Sequence, residues 1–469
     1  MFKKDVSLFM RTWLIVIFLV TSFSLSGNDL PVVLALEGDD TKGTIIYVDQ
    51  DATGVEDGSS WENAYTDLQD ALQAAVAPKE IWVKGGLYKP TSTTDRSISF
   101  NLKSGVHIFG GFYGGETDKD QRIPDATPTV LTGDLLGNDS PLEPYGYRYY
   151  FTAPTDPLSI DNSYHIMTCN SLSSNTVVDN IFITSGHANG TTNNQNKGAG
   201  IFINNCANYL FLTNLTIIGN GANQGGGIYI INSNPTLMKV KIDNNGGFDK
   251  GGGIYNDINS KPLIRETYIR GNQAFYGGGI YSVESAPTLV NSLISGNSGK
   301  SKGGAFYNLN SSPKMTNVTV VNNYNEVTNG GGGFYNDGNA FPIIINSIIW
   351  GNLTDQYINV NGGTMTITYS NIQGGYSGTG NINVDPQFVA PIEANPNLTN
   401  AGNYRLSPFS GCTDKGNNTV VQTPILYPYD LDGNVRVFDA DNNGIPTVDM
   451  GAYESQQSIS RVFLPLLNK

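Results

Sequence analysis

A repeat of about 26 residues through the middle of the chain constrains the fold more than any other feature of the sequence. A glycine-rich tripeptide, an apolar residue and an aromatic recur as GAGIF ending at Phe202, GGGIY at Tyr229, Tyr255 and Tyr281, GGAFY at Tyr307 and GGGFY at Tyr335. The aromatics are spaced by 27, 26, 26, 26 and 28 residues. A second marker keeps step. Pro235, Pro262, Pro287, Pro313 and Pro342 are each followed ten residues later by Asn245, Asn272, Asn297, Asn323 and Asn352. That offset never slips. Length changes fall only between Tyr and Pro, or between Asn and the next glycine cluster, so those places are corners.

The aligned repeats show which side chains point inward. Two after proline stand Leu237, Ile264, Leu289, Met315 and Ile344; seven after it stand Ile242, Ile269, Ile294, Val320 and Ile349. Just before the aromatic stand Ile201, Ile228, Ile254, Ile280, Phe306 and Phe334. All three columns are apolar. Two and seven differ in parity, so a corner lies between them, near Asn291, Asn317 and Asn346. Each repeat then reads as about three short strands, with β-branched residues in strands and Gly and Asn in turns. Gly and Asn recur too often for a helical solenoid. The expected fold is all-β, a right-handed parallel β-helix solenoid of ~26-residue coils. Stacked ~4.8 Å apart, such coils turn apolar columns into a core and asparagine columns into hydrogen-bond ladders.

Upstream, Ile45–Asp49 reads as a strand, and TDLQDALQAAVA (66–77) as an amphipathic helix with Leu68, Leu72 and Ala75 on one face. That helix is expected to cap the open end of the solenoid. IWVKGG (81–86) and VHIFGGFYGG (106–115) read as first coils, and 140–163 as a polar surface insertion. Lys3, Lys4 and Arg11, an apolar run from Trp13 to about Val20, and Val33-Leu34-Ala35 have the order of an export signal. RVFLPLLNK (461–469) reads equally as a final strand or as the apolar tail of an exported surface protein. The expected organisation is 1–35 signal peptide, 36–79 N-terminal strand and capping helix, 80–385 β-helix, 386–455 C-terminal coils and acidic segment, and 456–469 linker and tail. The net charge of −14 excludes nucleic acid as a partner. No second membrane-length segment is present in the sequence. Of the three cysteines, Cys169 and Cys206 are the pair that spacing leaves open; three buried thiols is the favoured reading.

Several of these motifs resemble bacterial choice-of-anchor Q domain proteins. They are the opening IIYVDQDATGVEDGSSWENAYTDLQDAL, IWVKGGLYKPT, FNLKSGVHIFGGFYGGET, the GGGIYN repeats, NSIIWGN (346–352), YSNIQGGYSGTGNINVDPQF (369–388) and LDGNVRVFDADNNGIPTVDMGAYE (431–454). The resemblance spans roughly 45–455 and departs at SPFSGCTDKG (407–416), where the family has a shorter apolar run. It implies an exported, bacterial cell-surface parallel β-helix of the pectin-lyase-like shape, with no established reaction.

Chemistry is sparser. Acids within the repeats (Asp243, Asp249, Asp257, Glu266, Glu284, Glu326 and Asp337) share no column, as the carboxylate pair of a hydrolase would require. Lys239, Lys241, Arg265 and Arg270 are the basic candidates for a lyase. His107, His165 and His187 have no metal-ligand spacing. Ca²⁺ has one candidate region: Asp430, Asp432 and Asn434 alternate, and Asp439, Asp441 and Asn443 match the first half of a calcium loop. The closing Glu is replaced by Met450, with Asp449 one place early; acidic turns are the favoured reading. The column Tyr229, Tyr255, Tyr281, Tyr307 and Tyr335 points outward if its neighbours point in, a ladder for sugar faces or a protein partner. A covered stack that stabilises the sheet is the favoured reading. The expected function is a secreted or cell-surface binding, adhesive or structural module, glycan-binding in one form, with a polysaccharide component as partner. A polysaccharide lyase or glycoside hydrolase is the alternative.

Overall fold

The proline, asparagine and glycine-aromatic markers of each repeat define four strands and four corners rather than three. One coil runs Ile228–Ser233, Thr236–Met238, Lys241–Asp243 and Gly246–Lys250 before Ile254–Asn256 begins the next. The fourth strand was not expected because its residues (Gly, Phe, Asp, Lys) carry no apolar alternation; backbone pairing alone defines it. The computed structural model describes residues 44–456 apart from 125, 140–158, 193, 395–398 and 422–428. The expected leader, most of the 140–163 insertion and the tail lie outside the described residues. Among the described residues no helix is long and apolar enough to cross a membrane.

Like strands stack in parallel, giving sheets of 11, 10, 6 and 9 strands. We call them sheets I (containing Thr236–Met238), II (Lys241–Asp243), III (Gly246–Lys250) and IV (Ile228–Ser233). The chain is a parallel β-solenoid of about 10 turns. Register follows the repeat: Tyr229 pairs with Tyr255, Tyr255 with Tyr281, Tyr281 with Tyr307 and Tyr307 with Tyr335.

All three apolar columns are buried in one continuous core. A single coil cannot hide these side chains, so stability comes from stacking. A polar spine runs beside the core at the corner between sheets II and III. Asn220, Asn245, Asn272, Asn297, Asn323 and Asn352 are all buried. Each Nδ2 from Asn220 to Asn323 donates to the next asparagine's Oδ1 at 2.9–3.1 Å, and the backbone N–H of each donates to the same oxygen. The second Nδ2 proton reaches back to a carbonyl of the coil below, as from Asn272 to Ile242 at 2.8 Å. Five buried amides are satisfied this way, and the sixth, Asn352, donates to Gln356 Oε1.

The glycine clusters sit at the corner before sheet IV. Gly251 and Gly277 have φ of 63° and 66°, and a Cβ on the following Gly252 would stand 2.5 Å from the Gly278 carbonyl. Only glycine serves here.

Helix α1 (Leu68–Ala74) starts at Asp67, whose carboxylate accepts from Gln69 N–H at 2.7 Å. It buries Leu68, Ala71 and Leu72 in the core at the N-terminal end, the helical cap expected. Cys169 and Cys206 form a disulfide on neighbouring strands of sheet IV, where the free-thiol reading was preferred; Ile203 pairs with Cys169, three residues before Cys206. Cys412 stays a free, buried thiol.

Residues 386–455 add no parallel coil among the described residues. They form two short antiparallel pairs, Phe388–Ala390 with Asn403–Leu406 and Val437–Phe438 with Thr447–Val448. The segment lies back along the outer face of sheet II. Tyr404, Ala452 and Tyr453 pack on Leu293 and Val321, and Leu406, Cys412 and Met450 pack on Ile348. The corner asparagines hold its backbone: Asn291 Nδ2 donates to Tyr429 O, Asn317 Nδ2 to Asp449 O and Asn346 Nδ2 to Asn417 O. Arg436, 1% exposed, donates to Asn291 Oδ1, the Gly451 carbonyl and Glu454.

Candidate functional site

The outward column of sheet II runs Phe182, Thr216, Lys241, Tyr268, Leu293, Thr319 and Ile348 in register. The C-terminal segment covers it from Leu293 onward. The first four positions are left open as a groove of 410 Å³. Pro124 closes one side and the Leu431–Asp432–Gly433 turn the other. Lys239 and Glu266, at the corner between sheets I and II, form its rim.

Its charges are arranged in pairs. Glu266 accepts from Arg265 at 2.6 Å and lies 3.8 Å from Lys239. Asp432 accepts a bidentate pair from Arg405 Nε and Nη2 at 2.5 and 2.6 Å. The flanking Asp243 is held by Arg270 at 2.5 Å, and Asp179 by Arg122 at 2.8 Å. Lys241 is exposed. Tyr268 lies under the Arg270 guanidinium, 4.7 Å from its ring centroid. Burial holds its phenol above the ordinary range despite a hydrogen bond with Tyr453, so it stays protonated. An arginine-held carboxylate is a poor general acid or base, because the ion pair stabilises the charged form in place. The groove therefore offers an aromatic, ammonium and hydroxyl surface, and among the described residues lining it no carboxylate is free of an arginine for hydrolysis.

The rim is strained. The corner between sheets I and II takes the left-handed conformation at Asn180, Asn214, Lys239, Glu266, Asn291, Asn317 and Asn346, with φ between 47° and 56°. Asparagine tolerates that region; Lys and Glu do so at a cost of ~1–3 kcal/mol. Three residues of that column depart from asparagine: Lys239 and Glu266 fall on the groove, and Tyr369, the next after Asn346 with φ 49°, does not. Of the four basic residues expected as lyase candidates, Lys239 and Lys241 line the groove, while Arg265 and Arg270 stand beside it, ion-paired with Glu266 and Asp243.

The tyrosine column is placed differently from the outward-ladder alternative. The rings do leave the core, on the outer side of sheet IV, and stack at centroid distances of 4.9–5.2 Å from Tyr229 to Tyr335. Yet all five are 7% exposed or less, covered by Ile231, Tyr276, Val283, Leu309, Ile358 and Val360. Lys197, Lys250 and Lys302 lie over Tyr229, Tyr281 and Tyr335. The Tyr229 and Tyr307 hydroxyls donate to Asp257 and Asp337. No ring face is open to a sugar, and the covered stack is the arrangement seen.

The acidic candidates separate into two groups. Both Asp430 oxygens are used: Oδ1 accepts from Asp432 N and Asn434 N, Oδ2 from Glu454 N and Asn434 Nδ2. With Asp432 clamped by Arg405, that turn is a backbone corner. Asp449 is buried and accepts from Asp414 N and Ser455 N, away from the loop it was expected to close. Asp439 and Asp441 instead meet Asp414, their carboxylate oxygens all within 4.8 Å of one another. Asn443 turns back to accept from Ile445 N. Asp414 lies in the 407–416 stretch, too far along the sequence for spacing to have found it.

No protein-family model matches the chain, and no curated protein does. Among solved structures it is similar to pectate lyase Pel9A (12% identity, 88% of this chain and 97% of that one, TM-score 0.40). It is also similar to a rhamnogalacturonan lyase (10%, 78% and 97%, TM-score 0.36) and to pectin methylesterase PemA from Erwinia chrysanthemi (10%, 71% and 90%, TM-score 0.33). The solenoid assignment rests on the strand register described above.

Proposed function

We propose that the chain is an exported or cell-surface glycan-binding module that lays an acidic polysaccharide along the open half of sheet II. One observation carries the reading: Lys239 and Glu266, two of the three residues that replace asparagine at that corner, both stand on the rim of the groove. Strain kept where a relaxed residue is available elsewhere in the same column points to a task for those side chains. Lys239 and Lys241 supply positive charge in a chain of net charge −14, and Phe182 and Tyr268 supply ring surface. Because the groove acids are held by arginine, the reading is binding rather than cleavage. Export is supported by the basic, apolar and small order of residues 3–35, by the resemblance to choice-of-anchor Q proteins, and by a disulfide that fits an oxidising compartment.

The test passes the full mature chain over immobilised acidic and neutral polysaccharides while soluble reducing ends and unsaturated products are measured. Retention on the acidic polymers, weakened about fivefold by Lys241→Ala or Tyr268→Ala and screened by salt, is expected. Product release would replace this reading with the lyase or hydrolase alternative. Equal retention of both variants would remove the groove from it.

A further inference from the structure

We infer that Asp414, Asp439 and Asp441 bind one Ca²⁺ ion that ties the two halves of the C-terminal segment together. Three carboxylates come within 4.8 Å of one another. Like charges that close repel unless a cation or protons intervene. Among the described residues no lysine or arginine forms an ion pair with any of them. The independent observation is at Asp414. It is 7% exposed; its Oδ2 accepts from Asp441 N at 2.7 Å, and its Oδ1 is buried with no hydrogen-bond partner. A buried carboxylate oxygen without a donor is costly unless a cation supplies the missing contact. The orphaned oxygen belongs to the carboxylate that meets Asp439 and Asp441.

The donor set selects the ion. Carboxylates are hard ligands, and there is no Cys or His in the group, so Zn²⁺ and Cu²⁺ are disfavoured. A loop of alternating acids with irregular spacing suits the flexible coordination of Ca²⁺ better than the strict octahedron of Mg²⁺. Asp414 thus takes the place of the closing acid that a calcium loop carries at its twelfth position, where this chain has Met450. The two sides of the site come from different stretches of the segment, joined by hydrogen bonds such as Gly416 N to the Val448 carbonyl at 2.8 Å. Near Asp414, Asn417 N donates to Asn346 Oδ1 at 2.7 Å; the Asp439–Asn443 loop belongs to the hairpin that pairs Val437 with Val448. An ion between them fastens one to the other.

The experiment titrates CaCl₂ calorimetrically into the chelator-stripped full chain, alongside Asp414→Asn and Asp441→Asn, and follows melting and limited proteolysis of 386–455. One site is expected, with Kd of about 10⁻⁵–10⁻³ M and Mg²⁺ at least about tenfold weaker. Ca²⁺ is expected to raise Tm and protect the segment from protease, and both variants are expected to lose about tenfold or more in affinity. Among the described residues the Asp441 side chain accepts only from Asn443 N, so Asp441→Asn decides the matter should Asp414→Asn prove unstable. Absence of binding and of a Tm shift at millimolar Ca²⁺ overturns the inference, as does wild-type affinity in Asp441→Asn.

Discussion

At the scale of single residues, two side chains separate what serves folding from what serves binding. Lys239 holds a left-handed backbone that asparagine holds in neighbouring coils. Lys239→Asn is therefore expected to stabilise the protein by about 0.5–1 kcal/mol while weakening retention on acidic polysaccharide. Paired melting and retention measurements check this, and a loss of stability would refute the strain argument. Glu454 makes the second case. Burial, and then the nearby Asp449, push its carboxyl up to about 9, against an opposing pull from Arg436. The native state then keeps a proton that the unfolded chain releases above its ordinary value near 4.5. Stability is full below that value and falls as pH rises toward 9. Glu454→Gln mimics the protonated form, so its Tm between pH 5 and 9 is expected to decline less than that of wild type. Parallel melting curves for the two proteins would contradict the assignment.

At the scale of elements, the asparagine spine and the apolar columns do different work. The columns supply burial, and any large aliphatic residue fills them. The spine requires one residue type, because only asparagine both donates twice and accepts twice in that corner. Asn272→Ala would leave Asn245 N–H and Nδ2 without the oxygen they share, at a cost of about 2–5 kcal/mol. Asn272→Asp is expected to cost no less, since a carboxylate cannot donate to Ile242 O. Chemical denaturation of both variants measures this. The same contrast explains what the sequence disclosed. Columns and spine repeat at a fixed offset from proline, so their places in the coil are legible in the sequence. The strand of sheet III was not, because glycine and lysine there leave no pattern. The groove was half legible. Lys239 and Glu266 stand four after Pro235 and Pro262, where later repeats have Asn291, Asn317 and Asn346, a broken column visible in the alignment. That the C-terminal segment would leave those coils open depends on contacts between residues more than a hundred positions apart, which no local pattern encodes. Asp414 was hidden for the same reason.

For the whole molecule, the solenoid and the segment lying on it are two bodies of different kinds. The solenoid is a stack of nearest-neighbour contacts closed at one end by α1. The segment has few strands, and it is held by asparagine side chains, a buried arginine and two apolar clusters. It is expected to lift off before the solenoid unfolds, giving a first transition by hydrogen exchange that leaves the spine amides protected. Coincident exchange of both regions would show one cooperative unit instead. The way the segment lies also sets a dimension of the groove. Sheet II has one outer face and two occupants, and the boundary falls between Tyr268 and Leu293. How far the segment reaches toward the N-terminus decides how many coils stay open. A lengthened turn at 430–434 would shorten the trough by a coil, and a trimmed one would extend it, with no change to any residue of the sheet. The chain's own end thus acts as an adjustable stop on a ruler whose divisions are the coils, and variation there would change the length of polymer held while leaving the fold alone.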